Sequence, residues 1–363
     1  MWIYLLLAAG LFMGWSLGTN DAANAFGTAV ATRVVKYRTA IIIIAVMVML
    51  GAILLGNQSV NKLSSIATNN EVIASEEDVN TAVANGTLSD LRLKSALKAF
   101  IIFACAGITV FVMSYLKFPV SANQSITGAV IGWGLFHANY NDPAILKGNL
   151  IEILEFMSTW LINPLGAALI SFVLVFVVKK FLESRLTSMK GYDKLITVGY
   201  LIAGAFSAFS IGQNSSASVT AFYYDGTGAG ANLIYQNFGE YFTADRIVAI
   251  LGGLSIAVGV LTFSKRVMMT VGGSIAEISQ IDGFLVILAS ALTVLLMGKL
   301  MGIPVSTSQS VVGAVIGAGL VNGVKSVNFG VFKRIAIAWV SSPTVAGLLA
   351  YIVALLTQGY FAA

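Results

Sequence analysis

PVSANQSITGAVIGWGL, residues 119–135, and PVSTSQSVVGAVIGAGL, residues 304–320, are two copies of one segment. Twelve of the 17 positions coincide without a gap, too many for two unrelated apolar helices. A weaker echo precedes each copy. LGTNDAANA at 17–25 aligns with IGQNSSASV at 211–219 through Gly18/Gly212, Asn20/Asn214 and Ala23/Ala217. Internal duplication is thus the first property of the chain, and it divides the chain into residues 1–178, a basic linker at 179–194, and residues 195–363.

Composition says where the two halves reside. The 363 residues are 57% hydrophobic and 10% charged, with a mean hydropathy of +0.87. Soluble domains carry roughly 25% charged residues, so the chain reads as an all-α integral membrane protein. Ten apolar segments recur, at about 2–31, 39–56, 97–116, 119–136, 149–178, 195–222, 246–263, 283–302, 304–321 and 329–358. The break at 57–96 is long and acidic, and its composition predicts partial disorder. The first segment lacks the charged start and cleavage site of a signal peptide and reads as a retained helix. Glycine pairs such as Gly128/Gly132 and Gly313/Gly317 have the spacing of close helix contacts.

The net charge of +5 does not point to nucleic acid, because the basic residues sit in short loops between apolar segments. A single cysteine, Cys105, and a single histidine, His137, leave no disulfide framework, catalytic triad or His/Cys metal cluster to assemble. Enzyme readings fall away.

Loop charge gives the orientation. Arg33, Lys36 and Arg38 follow the first signature, whereas Asp225, Glu240 and Asp245 follow its counterpart; the next loop is acidic in the first half and carries Lys265 and Arg266 in the second. Equivalent loops of opposite bias place one half upside down relative to the other. The basic linker then lies inside and both termini outside. The predicted fold is two inverted-topology repeats with broken helices or helical hairpins at midplane.

Two devices carry the chemistry. Gly18–Asn24 sets one carboxylate, two amides and a hydroxyl inside an apolar run. A charged residue at the bilayer centre costs about 2.5–3.5 kcal/mol on insertion scales, so Asp21 marks a functional site. The plainer reading is that Asn20 or Asp21 caps a following helix. The second device is the Pro-Val-Ser pair: proline starts a helix whose first N–H groups and positive end make an anion site without a cationic side chain. Ser121, Asn123, Gln124 and Ser125, with Ser306, Thr307, Ser308, Gln309 and Ser310, would add contacts. Neither device contains Lys or Arg, so a bound oxyanion needs co-bound cations, and the reading is cation-coupled symport. Protons titrating Asp21 are an alternative to sodium, and an anion channel is the alternative from another class.

GTNDAANAFGTAV at 18–30, the two PVS segments and RVMMTVGGSIAEIS at 266–279 resemble the inorganic phosphate transporter (PiT) family. The resemblance spans both halves. It implies a plasma-membrane symporter, usually a homodimer, moving phosphate with sodium or protons. It assigns the anion to Ser121, Asn123, Gln124, Ser125, Ser306, Thr307, Ser308 and Gln309, and sodium to Asn20, Asp21, Asn24 and Asn214. Two departures stand out. The second signature has Ser215 and Ser218 where the family repeats Asp and Asn, and helix 46–56 lacks the family's glutamate. With one carboxylate lost, a sulfate permease is the alternative cargo reading. His137 reads as a loop residue rather than a proton relay, Glu277 and Asp282 as solvated boundary residues, and the tryptophans as interfacial or packing residues.

Overall fold

A computed structural model of the chain describes residues 2–56, 67, 70, 72, 74–137, 143–181, 189–220, 244–271, 275–276, 278–301 and 305–361. Asp225, Glu240, Glu277, Pro304 and most of 57–73 fall outside these, as do the side chains of His137, Asp245 and Arg246. The helices are α1 (Trp2–Ala31), α2 (Tyr37–Leu55), α3 (Glu76–Ala84), α4 (Leu88–Tyr115), α5 (Ala122–His137), α6 (Pro143–Phe181) and α7 (Met189–Ser215). They continue as α8 (Ala217–Thr220), α9 (Ala244–Phe263), α10 (Lys265–Val271), α11 (Gln280–Met301), α12 (Thr307–Asn322) and α13 (Phe329–Phe361).

Helix α1 runs antiparallel to α7. Asp21 meets Ser215, Asn24 meets Ser207, and Phe26 packs on Gly204. Helix α4 runs parallel to α1, with Phe12 on Gly107 and Asn20 on Ser114, and α11 runs parallel to α7, with Phe284 on Gly199 and Gly298 near Asn214. Thus α4 and α11 enter from opposite faces. Their continuations α5 and α12 have 16 residues each, about 24 Å of rise against a hydrocarbon core of about 30 Å. Both start in the buried interior. Each of α4–α5 and α11–α12 is therefore a hairpin that enters and leaves by one face. Among the described residues six helices, α2, α4, α6, α7, α11 and α13, are long and apolar enough to cross a membrane. The directions of α4 and α11 pair them with α5 and α12 as two hairpins, and the other six apolar segments (α1, α2, α6, α7, α9, α13) run singly, a distinction hydropathy cannot make. A hairpin counts as two segments, so the predicted placement of loops and termini is unchanged.

The main helices of the halves correspond in order: α1, α2, α4–α5 and α6 to α7, α9, α11–α12 and α13. Packing follows the same rule. A Cβ on Gly18 would lie 2.0 Å from the Ile256 carbonyl oxygen of α9; one on Gly212 would lie 2.1 Å from that of Val48 on α2. Gly132 of α5 meets Gly347 of α13 as Gly317 of α12 meets Ala168 of α6. These carbonyl-to-glycine approaches bring backbones close where lipid supplies no hydrophobic drive for association.

The outside of the bundle is apolar. Leu161, Leu165, Leu169, Phe172 and Phe176 stripe one side of α6, and Leu348, Ile352 and Leu355 one side of α13. Helix spacing of exposed leucines and phenylalanines is what acyl chains solvate. The protein is a multi-pass membrane protein.

Two expectations change. The acidic break at 57–96 holds helical structure: Glu76–Ala84 is a helix started by a capping box, in which the Ser75 hydroxyl accepts the Asp78 N–H while Asp78 Oδ2 accepts the Ser75 N–H. Helix α4 also begins at Leu88, nine residues before the apolar segment. Acidic residues at a helix start complement its dipole, so composition read them as a loop. Asp282 is not solvated. It is fully buried, pairs with Lys179 Nζ at 3.1 Å, and accepts from Ser279 N and Asn322 Nδ2, each at 3.1 Å. Lys179 also donates to Asn322. The group ties the ends of α6 and α12 to the start of α11 on the face that exposes Arg33, Lys36, Lys265 and Lys325. Lys179→Ala strands the fully buried Asp282 carboxylate and should cost about 3–5 kcal/mol, whereas Asp282→Ala leaves the part-exposed Lys179 ammonium free to reach water and should cost about 3 kcal/mol or less. Thermal unfolding midpoints in detergent would check the order; equal midpoints for wild type and Lys179→Ala would remove the group from the stability argument.

Candidate functional site

The site forms where the two hairpin tips meet the two signatures. Helix α1 passes through Gly18–Asn24 without a break, which excludes the capping reading for Asn20 and Asp21. The counterpart differs: α7 stops at Ser215 and α8 resumes at Ala217. All twelve residues expected in the site are buried, the most exposed at 5%.

Their hydrogen bonds obey the pseudo-two-fold axis. Asn20 clamps the first tip, accepting Val120 N–H at 3.2 Å and donating to Phe118 O at 3.1 Å and Ser114 Oγ at 2.8 Å. Asn214 clamps the second, accepting Val305 N–H at 2.9 Å and donating to Val305 O at 2.8 Å. Across the axis, Asn123 donates to Val305 O at 2.9 Å, and its counterpart Ser308 donates to Val120 O, also at 2.9 Å. Asn24 donates to Ser308 Oγ at 3.1 Å, as its counterpart Ser218 donates to Asn123 Oδ1. Each tip is thus held by its own signature and by the opposite tip.

Near the axis Asp21 Oδ2 accepts from Ser215 Oγ at 3.4 Å, and Oδ1 from Asn24 Nδ2 at 3.3 Å. Asn24 Nδ2 also reaches Thr307 Oγ1 at 3.0 Å. The Thr307 side chain also faces the carboxylate, and the Ser215 and Asn24 contacts are long for a charged acceptor, which ordinarily draws donors to about 2.7–2.9 Å. Ser121 Oγ and Ser306 Oγ accept the N–H of Gln124 and Gln309, each at 3.2 Å, capping α5 and α12. Ser125 Oγ returns to Ser121 O.

Several buried polar atoms have no partner among the described residues: both side-chain heteroatoms of Gln124, Oε1 of Gln309, and Oδ1 of Asn24. Leaving such a group unpaired costs about 1–3 kcal/mol. Gln124 and Gln309 occupy equivalent places in the first turns of α5 and α12, where N–H groups and the positive helix ends suit an anion.

Sequence reasoning missed three supports. Asn163 donates to Ser306 O at 2.7 Å and accepts from Ser310 Oγ at 2.8 Å. Trp339, read as interfacial or packing, is buried and donates to Pro119 O at 3.2 Å. Ser114 receives the Asn20 amide. A signal existed for two of them: Trp160-Leu161-Ile162-Asn163-Pro164 and Trp339-Val340-Ser341-Ser342-Pro343 repeat the same W-x3-P pattern in α6 and α13.

The sequence profile of the phosphate transporter family matches residues 17–192 and again 183–350, one match per half. The chain belongs to the phosphate transporter family. Within it, a protein of Pyrococcus horikoshii named "Putative phosphate permease" is 27% identical, over 97% of each chain. One of the same name in Methanocaldococcus jannaschii is 28% identical, over 97% of this chain and 96% of the relative. The "Inorganic phosphate transporter 2-1, chloroplastic" of Arabidopsis thaliana is 25% identical, over 96% of this chain and 71% of its own length. A solved structure described as "The sodium-dependent phosphate transporter" shares the fold, with a TM-score of 0.74 at 22% identity over 98% of this chain and 99% of that one. This member of the family is a membrane transporter and not an enzyme.

Proposed function

We propose that this chain carries inorganic phosphate across the plasma membrane together with sodium, by alternating access around the site between the hairpin tips. The observation that carries this reading is the pair of buried glutamines with unpartnered side-chain atoms, both heteroatoms of Gln124 and Oε1 of Gln309, at two helix N-termini beside one buried carboxylate. Phosphate supplies acceptor oxygens for the N–H groups, the Gln124 and Gln309 amides, Asn123, and the hydroxyls of Ser121, Ser125, Ser306, Thr307 and Ser308. Sodium takes oxygen ligands from Asp21 and Asn24. Asn20 and Asn214, by clamping the tips, hold the Val120 and Val305 backbone beside it. The names of the relatives favour phosphate, and the description of the solved structure favours sodium over protons.

Residues 1–178 and 195–363 act as the two halves that exchange access, with 179–194 as their cytoplasmic linker. Oligomerisation as a homodimer belongs to the same reading. Alternating access is favoured over a channel because the tips bond reciprocally to each other, an arrangement whose inverted halves can exchange roles.

Purified protein in liposomes tests this. Uptake of radiolabelled phosphate should rise with an inward sodium gradient and resist excess sulfate. Phosphate keeps a proton that an acceptor can recognise, and a site built for that hydroxyl discriminates strongly against an anion without one. Strong competition by sulfate would make the cargo a broader oxyanion class, and uptake that ignores sodium would overturn the coupling. Single replacements of Ser306, Thr307 and Ser308 by Ala should each raise the apparent phosphate KM roughly five- to tenfold, the loss of about 1–1.4 kcal/mol per hydrogen bond. Unchanged KM in all three would remove the second hairpin tip from the anion site.

A further inference from the structure

The pseudo-two-fold symmetry of the site fails at one pair. The partner of Asp21 is Ser215, and that of Asn24 is Ser218. On the first-half side stand a carboxylate with two long hydrogen bonds and a buried amide oxygen, Asn24 Oδ1, with no partner among the described residues. On the second-half side, Ser215 donates to Asp21 Oδ2 and Ser218 donates to Asn123 Oδ1, so both hydroxyls turn their protons toward groups of the first half. Hydroxyl and amide oxygens lie on both sides of the axis, but a carboxylate stands on the first-half side only, at Asp21 and not at Ser215.

Charge gives the same count. Monovalent phosphate and ionised Asp21 bring one negative charge each. The N-termini of α5 and α12 offset about half a charge apiece. One sodium closes the balance. A second carboxylate at position 215 would call for a second.

We propose that the Asp21/Ser215 asymmetry leaves this transporter a single coupling-cation site, on the first-half side, so that it moves about one sodium ion per monovalent phosphate and carries no net charge. The inference rests on the sodium–phosphate reading above and fixes its stoichiometry.

Dual-label uptake of sodium and phosphate into liposomes, at a pH where monovalent phosphate dominates, tests it with the full chain. The flux ratio should be about one, and an imposed inside-negative potential should leave uptake unchanged. Ser215→Asp should raise the ratio to about two and make uptake faster at inside-negative potential, while Ser215→Ala keeps a ratio of about one. A wild-type ratio of two or more, or uptake accelerated by the potential, overturns the single site even if Ser215→Asp fails to fold. No sodium-driven phosphate uptake by the wild type overturns the underlying reading instead.

Discussion

Asp21→Asn should reduce sodium-driven phosphate uptake at least about 100-fold, equivalent to about 2.7 kcal/mol at 1.36 kcal/mol per tenfold. The amide keeps the shape of the carboxylate and can still accept from Ser215, so the bundle is expected to fold. What disappears is the only carboxylate at the meeting of the described hairpin tips and signatures, and with it the charge that holds a cation beside an anion. Monodisperse elution of the variant, at wild-type yield, separates lost coupling from lost structure. Normal sodium dependence in a folded Asp21→Asn protein would refute the role given to this residue.

The second large effect is structural. Gly18→Ala and Gly212→Ala each place a methyl about 2 Å from a backbone carbonyl oxygen, of Ile256 and Val48 respectively. A backbone at a helix–helix contact cannot swing aside as a side-chain end can, so the helices must separate. Overpacking of this kind costs about 1–3 kcal/mol and sometimes more. Because each glycine lies two residues before an asparagine that clamps a hairpin tip, the displacement should also loosen Val120 or Val305. Lowered thermal midpoints for both variants, with weaker phosphate affinity in whatever folds, are expected. Wild-type midpoints would mean that the α1–α9 and α2–α7 contacts give way more easily than their geometry implies.

The two predictions mark how differently fold and site could be read from sequence. The Pro-Val-Ser copies were legible because a duplication preserves the residues that an inverted pair must share. Asp21 stood out because an isolated carboxylate in an apolar run is too costly to be incidental. Asn163 and Trp339 were hidden, since an asparagine before a proline and a tryptophan in a long apolar segment have ordinary explanations until their carbonyl partners are known. Asp282 was misread because a carboxylate near a predicted boundary looks solvated, and only the ends of α6 and α12 folding over it bury it.

By itself the sequence determined that the chain lives in a membrane, that it is two inverted halves, and which polar residues those halves cannot leave idle. Composition, internal repetition and loop charge carry that information locally, residue by residue. The tertiary structure alone decided that four of the ten apolar segments are hairpin arms. It also decided that Asn123 and Ser308 exchange bonds across the axis, and that Ser215 spends its proton on Asp21. Those facts depend on distances between residues up to 194 positions apart. Such distances are set by helices packing through glycine against backbone, which no local pattern records.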